Sequence, residues 1–549
     1  MPLPTAKNHL TWLYVLVAFS VLVNFSGLFV TILGPDGALY ASIAKRMVVE
    51  DNYIDLMSEG KHWLDKPHFP FWITAFSFKL FGFQTWAYKL PAILFLLAGA
   101  LYTYLFAKKL YNKDVALWSA IILLTAEHII ISNNDVRAEP YLTALIIGAV
   151  YHFYCTYKNK SNLHLICGSL LAACAIMTKG MFAIIPIAGA LAGEFILKKQ
   201  WKEMFHMRWL FAAFLIFFFI LPELYCLYEQ FDLHPERVVF GKTHVSGINF
   251  FFWDSQFGRF FNTGPIKGKG DLFFFVHTTL WAFLPWAFIL YAAVFTIIRR
   301  YGRKPSSYTE WLTISGALLT FLLFSSSRFQ LPHYINIIFP FFAIICAGYI
   351  NRSDARNLKR IKITQITLIS LLAAGVRALH YFFKPPISIT VMVLLLILVM
   401  SWIVIHWALK ENQRHSIIIH SSMIIIVLNA YVNLIIYPQL LKFQSGSEAA
   451  FYSNKHYPGL SLVQLRPAYS YPLEFYHHQP LVTVDSLNQP GQVVKKPFLL
   501  YISGDSSTAV SGKIVKTFSH FPVSRLNGKF IYYKTRLQEV KEFKLYLVE

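Results

Sequence analysis

Apolar runs of about 20 residues recur along most of this chain, and a helix needs about that length to cross a bilayer. They fall near 10–33, 87–107, 114–132, 140–156, 163–177, 181–197, 208–229, 272–298, 310–324, 333–350, 363–381, 387–409 and 416–438. The pattern predicts an all-α polytopic membrane protein of about thirteen spans. Only 14% of the 549 residues are charged and mean hydropathy is +0.47, whereas a soluble domain carries about 25% charge. A soluble fold is thereby excluded. The first run is too long for a signal-peptide core and has no small-residue cleavage pattern, so it is expected to stay as a helix. Cys155, Cys167, Cys174, Cys226 and Cys346 lie in or at the ends of apolar runs. None pairs at metal spacing, so they read as small packing residues.

The net charge of +22 reads as a topology signal rather than a nucleic-acid surface, because the basic residues sit between the spans. One set of loops carries Lys108, Lys109 and Lys113; Lys158 and Lys160; Lys198, Lys199, Lys202 and Arg208; and Arg299, Arg300, Arg303 and Lys304. It continues with Arg352, Arg356, Lys359, Arg360 and Lys362, then Lys410 and Arg414. These are alternate loops, and the positive-inside rule makes them cytoplasmic. The N-terminus is then inside, and segments 34–86, 133–139 and 230–271 and the C-terminal tail are outside. Within 34–86, "YASIAKRMVVE" and "FPFWITAFSFKLFGF" read as amphipathic and aromatic helices lying in the interface. The tail mixes β-like runs ("PLVTV", "FLLYI", "KFIYYK") with Pro, Gly and Asn turns. This divides the chain into a membrane domain, 1–440, and a small α/β domain, 441–549.

The chemistry-bearing residues fall on the outer side. Asp36 follows the first run, with Tyr40 behind it; "HWLDKPHFPFW" holds Asp65 and Lys66. The turn "SNNDVRAEPYLT" holds Asp135, Arg137 and Glu139, and "MTKG" places Lys179 in the next outer turn. Loop 230–271 adds Lys242, His244, Asp254 and Arg259, and "SSSRFQLPHY" adds Arg328, His333 and Tyr334. Any one of them is accounted for by snorkelling at a membrane boundary. Together, carboxylates beside Lys and Arg suit a lipid-linked phosphate: the cations hold its oxygens, and a carboxylate orients the acceptor or acts as general base. A divalent metal through Asp36, Asp65 and histidines is allowed, at no diagnostic spacing. His62, His68, His477 and His478 fit no ligand pattern and read as polar loop residues. "GPIKGKGD" lacks the strand-and-helix context of a nucleotide loop.

In order along the chain, "PDGALYASIAK", "DKPHFPFWI", "RAEPYLT", "MTKG", "AFLPW" and "SSRFQLPHYINIIFPFFAI" resemble membrane glycosyltransferases of the GT-C fold. The similarity is to the 4-amino-4-deoxy-L-arabinose transferase type, related to protein O-mannosyltransferases. It implies transfer of a sugar from a polyprenyl-phosphate donor to lipid A, another glycolipid or a glycan on the periplasmic face of the bacterial inner membrane. The resemblance puts Asp36 and Glu139 at the active site, with Asp135 competing. It also carries Tyr40, Asp65, Lys66 (proposed to bind the donor phosphate) and Tyr334. Gly37 stands where the family often has a second acid, and Leu39 where it has Arg. Gln256, with Ser255 and Asp254 beside it, stands where the arabinose transferases have a metal-site His. This last departure counts against a metal and against arabinose. A lipid or polysaccharide transporter would instead place charges near mid-span and break helices in paired halves, and the spans are nearly charge-free. A protein O-glycosyltransferase shares the topology.

Overall fold

A computed structural model describes residues 8–302, 308, 310–486, 494–504 and 512–549; Arg303 and Lys304 lie outside the described residues. The chain is a multi-pass bundle. Among the described residues, seven helical stretches are long and apolar enough to cross a membrane: Thr85–Leu110, Asn162–Lys179, Trp201–Asp232, Pro332–Arg352, Ala355–Phe383, Ile389–Leu409 and Gln413–Phe443. Shorter apolar helices include Met181–Leu197 and Leu312–Ser326. Ala355–Phe383 and Ile389–Leu409 expose apolar side chains nearly all along their length, as helices facing lipid do.

Each apolar run of the sequence contains helix, but several break where local chemistry forbids continuation. Helix α1 (Asn8–Phe25) stops short of residue 33. The buried Lys89 ammonium takes the carbonyls of Gly27 (3.0 Å) and Val30 (2.6 Å), and Gly27 packs against Asn134 with no room for a Cβ. Run 272–298 splits into Phe274–Ala282 and Ala287–Tyr301, because Pro285 has no N–H to continue the helix. Helix α2 (Asp36–Val49) and helix α3 (Phe69–Phe81) form the two helices expected in segment 34–86. The hairpin between them, β1 (Met57–Ser58) and β2 (Lys61–His62), is antiparallel.

Helix α4 (Thr85–Leu110) is followed by α5 (Lys113–Leu124) and α6 (Glu127–Ser132), which divide run 114–132. The next pair, α7 (Glu139–Asn159) and α8 (Asn162–Lys179), are antiparallel neighbours joined by a tight turn. Helix α7 is buried along most of its length against α4 and α8. It therefore holds whatever its N-terminus carries in a fixed place.

The C-terminal part contains a five-stranded mixed sheet in the order β4-β3-β5-β7-β6. β3 (Leu462–Leu465) runs parallel to β4 (Leu481–Val484) and to β5 (Phe498–Ser503). β7 (Lys541–Val548) runs antiparallel to β5 and to β6 (Lys513–His520). "PLVTV" and "FLLYI" are strands as expected; "KFIYYK" is not. Asn527 accepts from the Phe530 N–H at 2.8 Å and starts a helical turn, Gly528–Ile531. That turn seats Phe530 in an apolar cluster with Phe383, Leu440 and Phe521.

Candidate active site

Six chain segments meet around the head of α7 and the end of α8. Helix α2 opens with Asp36; residues 63–68 precede α3 and carry Asp65 and Lys66. Residues 133–138 lead into Glu139 at the head of α7, and Lys179 ends α8. Arg259 follows an irregular helix, Phe250–Gly258, and His333 and Tyr334 come from the turn Pro332–Ile338. Together they line a cavity of about 180 Å³ whose walls include Asp36, Tyr40, Asp65, Lys66, Arg137, Glu139, Lys179, Arg259, His333 and Tyr334. Lys66, Arg137, Lys179 and Arg259 outnumber Asp36, Asp65 and Glu139 by one cation. An apolar cavity of about 70 Å³ adjoins it, sharing Lys179, Arg259, Phe329 and Tyr334 and walled by Leu142, Phe182, Phe260 and Phe324.

The charges fall into three linked groups. Arg137 binds Asp36 at 2.8 Å and Asp135 at 2.7 Å, so one guanidinium ties the start of α2 to the turn before α7. Asp65 accepts from Lys66 at 2.6 Å and also pairs with Arg259. Glu139, whose side chain is only 3% exposed, pairs with Lys179. His333 Nε2 lies 3.8 Å from Glu139 Oε1, and the Lys179 ammonium sits 3.6 Å from the centre of the Tyr334 ring. Burial pushes the Asp65 carboxyl up, but Lys66 and Arg259 outweigh it and hold it at about 2. Burial depresses Lys66 below the ordinary lysine value, with Asp65 pulling the other way and Arg259 adding to the depression. Burial and the carboxylates of Asp65, Glu139 and Asp36 raise the Tyr40 phenol well above 10, so it is a neutral donor.

Two features distinguish this cavity from a closed salt-bridge cluster. The Asp36 side chain remains 46% exposed despite its Arg137 contact. Arg259 Nε is buried with no hydrogen-bond partner among the described residues, and such an orphan donor costs about 1–3 kcal/mol unless a ligand satisfies it.

A further layer fixes these groups. His68 is fully buried; its Nδ1 lies 3.0 Å from Glu223, its N–H donates to the same carboxylate, and its Nε2 lies 2.8 Å from the Ile54 carbonyl. It is a brace for residues 54–68, buried and bonded on both ring nitrogens where the sequence suggests only a polar loop residue. His477 is also buried, with Nδ1 2.9 Å from the Gln479 carbonyl. Asn133 donates to Asn24 at 2.6 Å and Asn134 to Asn433 at 2.9 Å, locking the turn that carries Asp135 and Arg137. Gln256 closes the turn after Lys179: its Nε2 donates to the Lys179 carbonyl at 3.2 Å and its Oε1 accepts from the Phe182 N–H at 3.2 Å. Gly180 is required there, with φ +98° and a hypothetical Cβ 2.1 Å from Gln256 Nε2.

Ten of the fifteen chemistry-bearing residues singled out in the sequence line the cavity. Asp135 stands behind Arg137. There a Cβ on Gly37 would lie 3.3 Å from Asp135 Oδ1, which accounts for glycine where a second acid would meet a like charge. Arg328 is not brought in. Ser327 and Phe329 line the apolar cavity, while Arg328 between them is exposed. Lys242 and His244 are exposed away from the cavity, and Asp254 accepts from Asn249 at 3.2 Å. Asp36 and Asp65 are each paired with Arg or Lys, and the Gln256 carboxamide is committed to the Lys179 turn. Among the described residues the acid–histidine group close enough to share a cation is His9, Asp114 and His415, outside this cavity. Sequence reasoning missed the aromatic wall of Phe182, Phe260, Phe324 and Phe329, which carries no signal distinguishing it from ordinary core.

Over its length the chain superimposes on the crystal structure of ArnT from Cupriavidus metallidurans bound to undecaprenyl phosphate. The TM-score is 0.73 with 18% identity, covering 98% of both chains. The chain has the ArnT-like GT-C fold. Within that fold, residues 65–225 match the family model described as dolichyl-phosphate-mannose-protein mannosyltransferase. This GT-C chain is 25% identical over 354 residues to an uncharacterized protein of Aquifex aeolicus, covering 64% of this chain and 65% of that protein. It is 24% identical over 358 residues to the undecaprenyl phosphate-alpha-4-amino-4-deoxy-L-arabinose arabinosyl transferase of Edwardsiella ictaluri, covering 64% and 61%. The match thus spans less than two thirds of the length of either relative.

Proposed function

We propose that this protein is a glycosyltransferase of the bacterial inner membrane that moves a sugar from a polyprenyl-phosphate donor to a lipid or glycan acceptor on the periplasmic face. The observation that carries the reading is the cavity itself. Lys66, Lys179 and Arg259 converge beside an apolar aromatic cavity, and the partly exposed Asp36 faces them across about 180 Å³. Such a site suits a substrate with a phosphate head and a hydrocarbon tail. The similarity to ArnT bound to undecaprenyl phosphate supports the same donor class here. We place all thirteen apolar runs across the membrane with the N-terminus cytoplasmic, and residues 441–549 as a periplasmic domain.

The acceptor oxygen attacks the anomeric carbon as the bond from that carbon to the phosphate oxygen breaks. The charge that develops on the departing polyprenyl phosphate is met by Lys66, Lys179 and Arg259, donors already ordered before substrate arrives. Asp36 takes the acceptor proton where the acceptor is a hydroxyl and positions the acceptor where it is an ionised phosphate. Arg137 holds one Asp36 oxygen at 2.8 Å and leaves the other for this role. Asp65, held at about 2, stays ionised and fixes Lys66 and Arg259. No step needs a metal.

Turnover by purified protein in nanodiscs tests the reading. Given the polyprenyl-linked sugar fraction of cells lacking the protein, together with those cells' membrane lipids, the wild type releases free polyprenyl phosphate. Asp36→Asn slows release at least about 100-fold while still binding undecaprenyl phosphate. Equal release by both proteins would remove Asp36 from the chemistry, and no release by the wild type would remove the reaction.

A further inference from the structure

Asp36 is reached by a short irregular stretch, 31–35, between α1 and α2. What holds that stretch comes from more than 400 residues away. In an extended segment the C=O of residue i and the N–H of residue i+2 face the same side, and a carboxamide is the side chain that bridges both. Gln444 does so: its Oε1 accepts from the Gly34 N–H at 2.9 Å and its Nε2 donates to the Ile32 carbonyl at 3.0 Å. Gln444 is 5% exposed, and its Nε2 is held in turn by Ser447 Oγ at 3.2 Å. A second donor of the stretch, the Ile32 N–H, goes to the Tyr476 hydroxyl at 2.8 Å, which also meets Thr85 Oγ1 at 2.8 Å. A Cβ on Gly34 would lie 3.0 Å from the Pro472 ring. Ile32 is fully buried, and its side chain backs Gly37 directly behind Asp36.

Resting on the transfer reaction proposed above, we propose that Gln444 and Tyr476 are positioning residues for Asp36. They fix the backbone at Ile32 and Gly34, and through it the place of the Asp36 carboxylate opposite Lys66, Lys179 and Arg259. The C-terminal part of the chain is then a component of the active site without touching substrate. The three cations are carried by other segments, so this clamp governs the acceptor side of the reaction and leaves donor binding alone.

The test is a kcat-against-KM split on the full chain in nanodiscs, with the polyprenyl-phosphate sugar fraction as donor and undecaprenyl phosphate as the binding probe. Gln444→Ala lowers kcat about tenfold or more, because an ångström of misplacement is costly at a reacting group. Its donor KM and undecaprenyl-phosphate affinity stay within about twofold of wild type. Gln444→Glu, which keeps the acceptor for Gly34 and loses the donor to Ile32, falls between. Tyr476→Phe, which keeps the ring, lowers kcat in the same sense and carries the test if Gln444→Ala does not fold. Val484→Ala, buried in β4 away from the site, lowers the melting temperature without lowering kcat. In the Asp36→Asn background, Gln444→Ala adds no further loss. The proposal is overturned by Gln444→Glu and Tyr476→Phe at wild-type kcat, by losses in donor affinity instead, or by full additivity with Asp36→Asn. A wild type that releases no polyprenyl phosphate overturns the transfer reading first, and this proposal with it.

Discussion

Lys66 donates to Asp65 at 2.6 Å while burial holds its pKa below 10.5. The ammonium is the form that holds phosphate, so donor binding is present at low pH and lost as pH rises through that lowered pKa. A rate–pH profile should show donor KM climbing on an alkaline limb below the ordinary lysine range. Lys66→Arg should flatten the limb, because guanidinium stays charged; an unchanged limb would place the titrating group elsewhere. Gly180→Ala forces a side chain into φ +98° and onto Gln256. It should cost at least about 1 kcal/mol of stability and weaken undecaprenyl-phosphate binding by displacing Lys179; unaltered binding would separate that turn from the site. At this scale much was legible. Asp36, Asp65, Lys66, Glu139 and Lys179 are each accounted for singly by snorkelling, and it is their recurrence on separate outer segments that points to one site. Gln256 stands out in the sequence only as a departure; its hydrogen bonds to Lys179 and Phe182 depend on a fold that sequence spacing does not encode. Arg328 lies next to the cavity in sequence, between Ser327 and Phe329, but is itself exposed.

Helix α2 is fastened to the C-terminal part by Lys45, whose ammonium donates to the carbonyls of Glu474 (3.2 Å), Phe475 (2.9 Å) and His477 (2.6 Å) at the end of the short helix Tyr471–Tyr476. Arg46 adds a bond to the Glu474 carboxylate at 3.2 Å. Burial lowers Lys45 to about 8, against the pull of Glu474. A lysine depressed in the folded state costs stability below about 8, and the cost is relieved as pH rises from there to the unfolded value near 10.5. Melting temperature of the wild type relative to Lys45→Met should therefore rise between pH 8 and 10; a flat difference would contradict the burial of that charge. The amphipathic spacing of α2 was readable, but its docking partner was not, because a helix end presents bare carbonyls whatever its sequence. The same limit applies to "KFIYYK", whose β-like composition yields to the Asn527 cap and the apolar seat of Phe530.

Across the whole molecule, periodicity and length announced a polytopic bundle, since apolar runs of bilayer length have few other uses. Where the runs break was decided by Lys89, Pro285 and the packing of Gly27, which act through contacts distant in sequence. The orientation proposed here puts Lys242 outside and Lys410 inside, and both are exposed. In a cysteine-free background, Lys242→Cys should react with an impermeant thiol reagent in cells with a permeabilised outer membrane, and Lys410→Cys only after lysis; the reverse pattern would invert the active site. The central claim, that this cavity transfers one sugar from a lipid phosphate, is tested most directly by mass spectrometry of glycolipids and glycans from cells lacking the protein, complemented with wild type or Asp36→Asn. The account predicts that one species loses a single sugar mass and regains it only with the wild type. An unchanged glycan profile, or full restoration by Asp36→Asn at equal expression, would contradict it.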